Sequence, residues 1–543
     1  VAKTSAKSIP VEARPKSLGI AWWILLTIAL VLIAVIRIRL LSFPLERDEG
    51  EYAYAGQLML QGIPPYQLAY NMKFPGTYAA YALVMSIFGQ TIVGIHLGLL
   101  VVNAATIALV FLLGRRLVNS TAGIVAAASY AILSVSPSVL GFAAHATHFV
   151  MLPVLGGALL LLRPSHSQSK KIVFASGVLF GIGLLMKQPA LFFIPFGAGY
   201  LFYRDWRARL NWKQISIRSA IFLGGAALPF AATCLVLWRA GVFEKFWFWS
   251  WTYARAYGDI VSASQGVRIF FGNITGVIGA GWALWVLAAA GVIACLCDKK
   301  LRPHAVLLLA FLFFSGLALC PGFYFREHYF VLVLPAICLL AGAAVASAEN
   351  LCSRYARPLR FIPLVLFVAA WVLPLRAKAP FFFTPNPGAA CRMIYGANPF
   401  PEAIRIAEYL KEHTNADDTI AVLGSEPEIY FYSHRHSATG YIYTYGLMEP
   451  HQHALPMQRE MIQEIETARP KYLVVVSMNI SWLKQPGSEN LIFDWFAKYC
   501  PDNFALEGVV TIVSAAQTDY YLPLTSESIR VSPDSILIYK RKF

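Results

Sequence analysis

Apolar stretches of about 20 residues, the length a helix needs to cross a bilayer, recur along the first two thirds of the chain, parted by short loops rich in Lys and Arg. They fall near residues 18–41, 91–114, 119–138, 147–163, 171–187, 188–203, 217–240, 273–297, 303–321, 328–347 and 360–377. The pattern predicts about eleven transmembrane helices. After Arg376 it changes. "RAKAPFFFTPNPG" reads as a linker, and beyond it helix-period segments ("FPEAIRIAEYLKEHT", "ALPMQREMIQEIETA", "ENLIFDWFAKYC") alternate with strand-like runs ("DTIAVLG", "KYLVVVS", "EGVVTIVS", "DSILIYKRK"). Such alternation predicts a small α/β domain. The expected organisation is a polytopic α-helical membrane unit over 1–377, a linker over 378–388 and a soluble α/β domain over 389–543.

Composition agrees. Of 543 residues 57% are hydrophobic and 14% charged, against about 25% charged in a soluble domain. The net charge of +16 is spread in small clusters with no long basic tract or RNA-binding signature, which sets nucleic acid aside. The clusters instead give an orientation. With the N-terminus in the cytoplasm, the inner side collects Lys3, Lys7, Arg14 and Lys16, then Arg115–Arg116, Arg163 with Lys170–Lys171, Arg204 to Arg218, Lys299 to Arg302, and Arg354 to Arg360. This is the positive-inside pattern. Arg37 and Arg39 break it, and long cations there are expected to snorkel to the interface. An odd number of spans then places the C-terminal domain outside the cytoplasmic membrane. Cys391 and Cys500 lie in that domain and either pair there or remain free thiols.

The stretch "RDEGEYAYAGQLMLQG" (Arg47–Gly62) opens the first long outer loop. Tyr52, Ala55, Leu58 and Met59 recur at helical spacing, and Gly62 is placed to end the helix. Asp48 and Glu49 at its start have a bland use, since acids cap and favour a helix N-terminus. Other polar residues fall on the same membrane face: Lys73, Lys187, His145 with His148, and Arg326, Glu327, His328 and Tyr329. Ionisable groups at membrane depth mark substrate paths. Lys or Arg at headgroup level neutralises a lipid-linked phosphate, and a carboxylate beside it serves to take a proton from an acceptor hydroxyl. Each cation alone is explained as well by interfacial anchoring, and His145 and His148 as ordinary interfacial histidines, with metal binding the minority use.

Four motifs in order, "RDEGEYAYAGQLMLQG", "KFPGTYAAYALVMSIFG", "GIGLLMKQPALFFIPF" and "REHYFVLVLPAICLLAG", resemble the GT-C membrane glycosyltransferases, in the branch of protein O-mannosyltransferases and aminoarabinose transferases. The resemblance covers about residues 1–350. It implies a hexosyl- or pentosyltransferase of the cytoplasmic membrane that takes sugar from a polyprenyl-phosphate donor to a lipid, glycan or protein acceptor among membrane lipids, with room for a divalent metal. It implies Asp48, with Glu49, as the catalytic carboxylates. Lys73 matches the family's Lys-Pro segment that helps hold the lipid phosphate, with Phe74 standing before Pro75; Arg326, Lys187, His328 and Tyr329, on the same membrane face, complete the expected phosphate site. His145 and His148 stand where the mannosyltransferase branch carries an acidic residue, and Glu51 stands where the aminoarabinose branch has Arg, so the sugar stays open. The main alternative keeps the fold without the chemistry, as an accessory or scaffolding subunit of a membrane complex.

Overall fold

A computed structural model describes residues 17–165, 168–355, 357–524 and 532–542; the basic residues before Ser17 lie outside them. Helices α1 (Ser17–Arg39), α2 (Arg47–Leu60), α3 (Gly76–Phe88), α4 (Ile92–Leu117), α5 (Ser120–Leu133), α6 (Ala146–Leu161), α7 (Lys170–Met186), α8 (Phe193–Arg207) and α9 (Trp212–Arg239) are followed by helices Ala263–Ile278, Trp282–Cys297, Arg302–Leu317, Leu334–Tyr355 and Ile362–Ala377. Among the described residues six stretches are long and apolar enough to cross a membrane: Gly19–Arg39, Ile92–Leu117, Trp212–Arg239, Ala263–Cys297, Leu334–Tyr355 and Pro358–Ala377. Shorter helices such as α5, with 14 residues, rise only about 21 Å at 1.5 Å per residue, less than the roughly 30 Å hydrocarbon layer. Helix Leu334–Tyr355 runs through the middle of the bundle, buried along its first three turns, whereas α1 turns Ile20, Ile24, Ile28 and Val31 outward, as a lipid-facing helix does.

Arg37 does not snorkel. It is buried and turns inward, donating from Nη2 to the carbonyls of Ser134 at 2.8 Å and Gly141 at 3.3 Å, while Arg39 reaches the carbonyl of Phe383. Both bind backbone groups left free where helices end, a use of cations that hydropathy patterning does not reveal.

The C-terminal region forms one six-stranded mixed sheet in the order β2-β1-β3-β6-β4-β5. Strands β1 (Thr419–Leu423), β2 (His436–Ser437) and β3 (Tyr472–Val476) are parallel, and β3 to β6 (Ser535–Arg541), β6 to β4 (Phe504–Ser514) and β4 to β5 (Gln517–Tyr521) are antiparallel. Its apolar face continues into the bundle. Ile420, Val422, Ile429 and Tyr430 share a core with Tyr52, Tyr54 and Leu58 of α2 and Tyr78 and Tyr81 of α3. A second shared core joins Leu447 and Met461 to Tyr66, Tyr70, Phe246 and Trp249. Within 378–388, Phe381 and Phe382 are buried in the bundle core, with Phe381 against Phe43 and Phe142. Cys391 and Cys500 are both free and buried, in different cores.

Candidate active site

Helix α2 begins with a capping box that leaves Asp48 out. Glu46 is the N-cap: its Oε1 accepts from the Glu49 amide at 3.0 Å, and Glu49 Oε2 accepts from the Glu46 amide at 3.4 Å. Two amides at the start of the helix are thereby met, and the capping role that offers a bland account of Asp48 belongs to its neighbours. Glu49 is fully buried and turned away from the site; its Oε1 accepts from the Ala144 amide at 2.6 Å and meets His96 Nε2 at 3.1 Å. Asp48 and Glu49 therefore lie on different sides of α2. Successive helix positions do not share a face, and Glu49 ties α2 to α4 and to the residue preceding His145.

Asp48 faces a cavity of about 200 Å³. Its Oδ1 accepts from Lys73 Nζ at 2.7 Å, and the same ammonium donates to Glu51 Oε2 at 2.6 Å. Glu51 also accepts from Tyr78 Oη at 2.5 Å and Asn71 Nδ2 at 2.7 Å. One ammonium thus bridges two carboxyl groups, and burial raises Glu51 above its ordinary value against the pull of Lys73. Burial opposes the charge on Asp48, but Lys73, then His145 and Lys187, outweigh it and hold the carboxyl well below the usual carboxylate range. Burial likewise opposes the Lys73 charge, and Asp48 and Glu51 overcome it and push the ammonium well above the ordinary lysine value.

The other wall is cationic. Lys187, the residue that ends α7, sits over the Tyr329 ring at 4.2 Å, and Arg326 lies 5.6 Å from the Tyr324 ring centroid. Both line the cavity with His328 and Tyr329, and neither forms an ion pair among the described residues. Burial lowers the Lys187 ammonium to about 7 against the opposing pull of Asp48, with Lys73 and Arg326 pushing further down.

Between the walls, the rings of His145 and His328 stack with centroids 4.2 Å apart. His145 Nδ1 and His328 Nε2 each lie 3.9 Å from Asp48 Oδ2, and both His145 ring nitrogens are buried without a hydrogen-bond partner. Burial lowers His145 to about 4 in spite of Asp48 and Glu49, and takes His328 well down, so both imidazoles are neutral at neutral pH. One ligand atom each from Asp48, His145 and His328 lie within 4.8 Å of one another. A carboxylate and two neutral imidazoles with unused nitrogens form a donor set that fits a divalent cation. His148 is not part of it: one turn into α6 it faces Asn103 inside the bundle, Nδ1 to Nδ2 at 3.3 Å. Of the two histidines for which the sequence left metal binding as the minority use, only His145 joins this donor set, together with His328.

Sequence reasoning missed the remaining lining. Trp249, Tyr253 and Tyr257 come from the aromatic segment after α9, and Tyr443, Tyr445 and Glu449 from the C-terminal region. The tyrosine-dense "GYIYTYG" is the one local feature that could have pointed to them.

Residues 73–238 match the family model described as dolichyl-phosphate-mannose-protein mannosyltransferase. No curated protein matches the sequence. Among solved structures the chain is similar to ArnT from Cupriavidus metallidurans in the apo state, with a TM-score of 0.55, 14% identity, and coverage of 96% of this chain and 98% of that one. It is similar to ArnT from the same organism bound to undecaprenyl phosphate, with a TM-score of 0.54, 15% identity, and coverage of 90% and 96%. It is also similar to the Archaeoglobus fulgidus oligosaccharyltransferase in complex with Zn and sulfate, with a TM-score of 0.50, 14% identity, and coverage of 91% and 74%. At such identities the likeness is one of fold. Taken with the family match, it bears out the resemblance: this is a polytopic membrane protein of GT-C fold carrying a C-terminal α/β domain.

Proposed function

We propose that this GT-C chain is a glycosyltransferase that moves a sugar from a polyprenyl-phosphate donor to an acceptor hydroxyl at the outer face of the cytoplasmic membrane, with the C-terminal domain on that same face. The observation that carries the reading is the division of one cavity between an ionised carboxylate and two uncommitted cations. Lys187 and Arg326 bind the donor phosphate through charge-assisted contacts, with Tyr329 beneath the lysine. Asp48 takes the acceptor proton as positive charge builds at the anomeric carbon, so one carboxylate helps on both counts. Lys73, its charge already shared by Asp48 and Glu51, keeps Asp48 ionised and contributes less to the phosphate than the family resemblance implies. Glu49, His96 and Glu46 hold the first turn of α2 in place.

The family match, the cavity at the start of α2, and a solved structure of similar fold holding undecaprenyl phosphate support this reading. Asp48, His145 and His328 would hold a divalent cation, which when bound supplies positive charge beside the departing phosphate. The sugar and the acceptor class stay open.

Undecaprenyl phosphate is the direct probe. Lys187→Ala and Arg326→Ala are each expected to weaken its binding about 10–150-fold, the worth of one charge-assisted contact of roughly 1.5–3 kcal/mol. Unchanged affinity in both variants, measured by native mass spectrometry or thermal shift, would remove the phosphate from this cavity.

A further inference from the structure

The residue before Asp48 points to another side of α2 and is held by the C-terminal region. Arg47 donates from Nη1 to Asn398 Oδ1 at 2.8 Å and from Nη2 to Glu426 Oε1 at 2.9 Å. Glu426 is completely buried, and its second oxygen accepts from Ser481 Oγ at 2.5 Å. Ser481 Oγ in turn accepts from the Ser425 amide at 2.8 Å. The Arg47 guanidinium also lies 5.2 Å from the Phe400 ring centroid and 5.6 Å from that of Tyr445, a cavity-lining residue. One turn into α2, a Cβ at Gly50 would come within 2.7 Å of the Glu428 backbone nitrogen, so helix and C-terminal region touch there backbone to backbone.

We infer that the Arg47–Glu426–Asn398 clamp is a positioning device for Asp48, so that the C-terminal domain sets the geometry of the site as well as covering it. Side chains at adjacent helix positions point about 100° apart, so fixing the Arg47 guanidinium on one side fixes the rotation of the first turn. That rotation aims Asp48 at Lys73 and at the two histidines. A buried ion pair is weak evidence for stability, and its best-attested use is to specify one register. Here it is backed by a glycine whose missing side chain permits the contact. The catalytic meaning of the clamp rests on Asp48 acting as the base; its effect on the position of Asp48 does not.

The test is a thermal-unfolding cycle on the full-length protein in detergent with Asp48→Asn, Glu426→Gln and the double variant. Independent sites add, and residues coupled through one backbone shift do not. The destabilisation caused by Asp48→Asn is expected to fall by more than half in the Glu426→Gln background, because Asp48 no longer meets Lys73 squarely, and Glu426→Asp is expected to restore part of it. Additive shifts would mean a clamp that only staples the domain, and would overturn the inference. If Glu426→Gln does not fold, Asn398→Ala, which removes one neutral acceptor from the same clamp, takes its place in the cycle. No substrate is needed, so this outcome stands apart from that of the proposed function. Turnover retained by Asp48→Asn would end the assignment of the base while leaving a coupled cycle intact.

Discussion

The two ends of α7 carry buried charged clusters of opposite design. Beside its N-terminus, Asp205 accepts from Arg204 Nη2 at 2.9 Å and from Arg218 Nε at 2.6 Å. Gln168 closes the group, its Oε1 accepting from Arg204 at 2.5 Å and Arg218 at 2.6 Å and its carbonyl from Arg218 at 3.0 Å. Each of these oxygens meets a donor. At the C-terminus, among the described residues, Lys187 and Arg326 have no carboxylate partner and both nitrogens of His145 are without a hydrogen-bond partner. A saturated cluster ties loops together and has nothing left to offer a ligand. An unsaturated one in a cavity carries the desolvation cost of buried charge without the pairing that would offset it, and the missing partner is supplied by what binds.

The largest expected effect sharpens this contrast at the saturated end. Asp205→Ala leaves two arginines uncompensated and is expected to cost about 3–5 kcal/mol of stability, read as a lowered unfolding midpoint, while undecaprenyl phosphate affinity per folded molecule stays as in wild type. A fall in affinity without a fall in stability would erase the distinction between the two clusters.

The second effect is on pH. Lys187, lowered to about 7, is charged below that pH and neutral above it. Undecaprenyl phosphate binding is therefore expected to weaken by roughly tenfold, the loss of one charge-assisted contact, as pH rises from about 6 to about 8 through the lysine's titration. Lys187→Arg, always charged, should flatten the profile. The same slope in wild type and Lys187→Arg would assign the titration to another group.

The smallest concerns the imidazoles. Three protein ligands leave an open position, as in catalytic metal sites. Zn²⁺ titration of the purified protein should reveal one site lost in His145→Ala and in His328→Ala and kept in His148→Ala. Equal losses in all three would dissolve the cluster.

What was legible in the sequence follows from range. Six of the eleven expected spans, those long and apolar enough to cross a membrane among the described residues, were legible because hydropathy is additive along a helix, and the 3.6- and 2-residue periods of the α/β region gave β1, β3, β4 and β6 and their helices. β2, only two residues long, and β5, with its polar "QTDYY", carry too little pattern. Asp48, Lys73, Lys187, Arg326 and His328 are far apart in sequence, and family order together with membrane sidedness was enough to name them together. Geometry within one turn was not legible. That Glu46 caps α2 was hidden because Glu is not a favoured N-cap residue, and so the opposite directions of Asp48 and Glu49 were hidden too. Tyr443, Tyr445 and Glu449 reach the cavity only because the sheet docks on α2, a tertiary event without a local signature. The same docking buries Arg47 against Glu426.

The central claim is that the charge on Asp48 serves chemistry beyond the ion pair it makes with Lys73. Asp48→Asn keeps the shape of the side chain, and the Glu46–Glu49 capping box stands without it, so the measurement is turnover of the folded variant with the protein's own donor and acceptor. The account predicts a fall in kcat on the order of 10²-fold or more, the usual worth of a positioned base, with undecaprenyl phosphate still bound. Turnover within a factor of about two of wild type by a well-folded Asp48→Asn protein would contradict it.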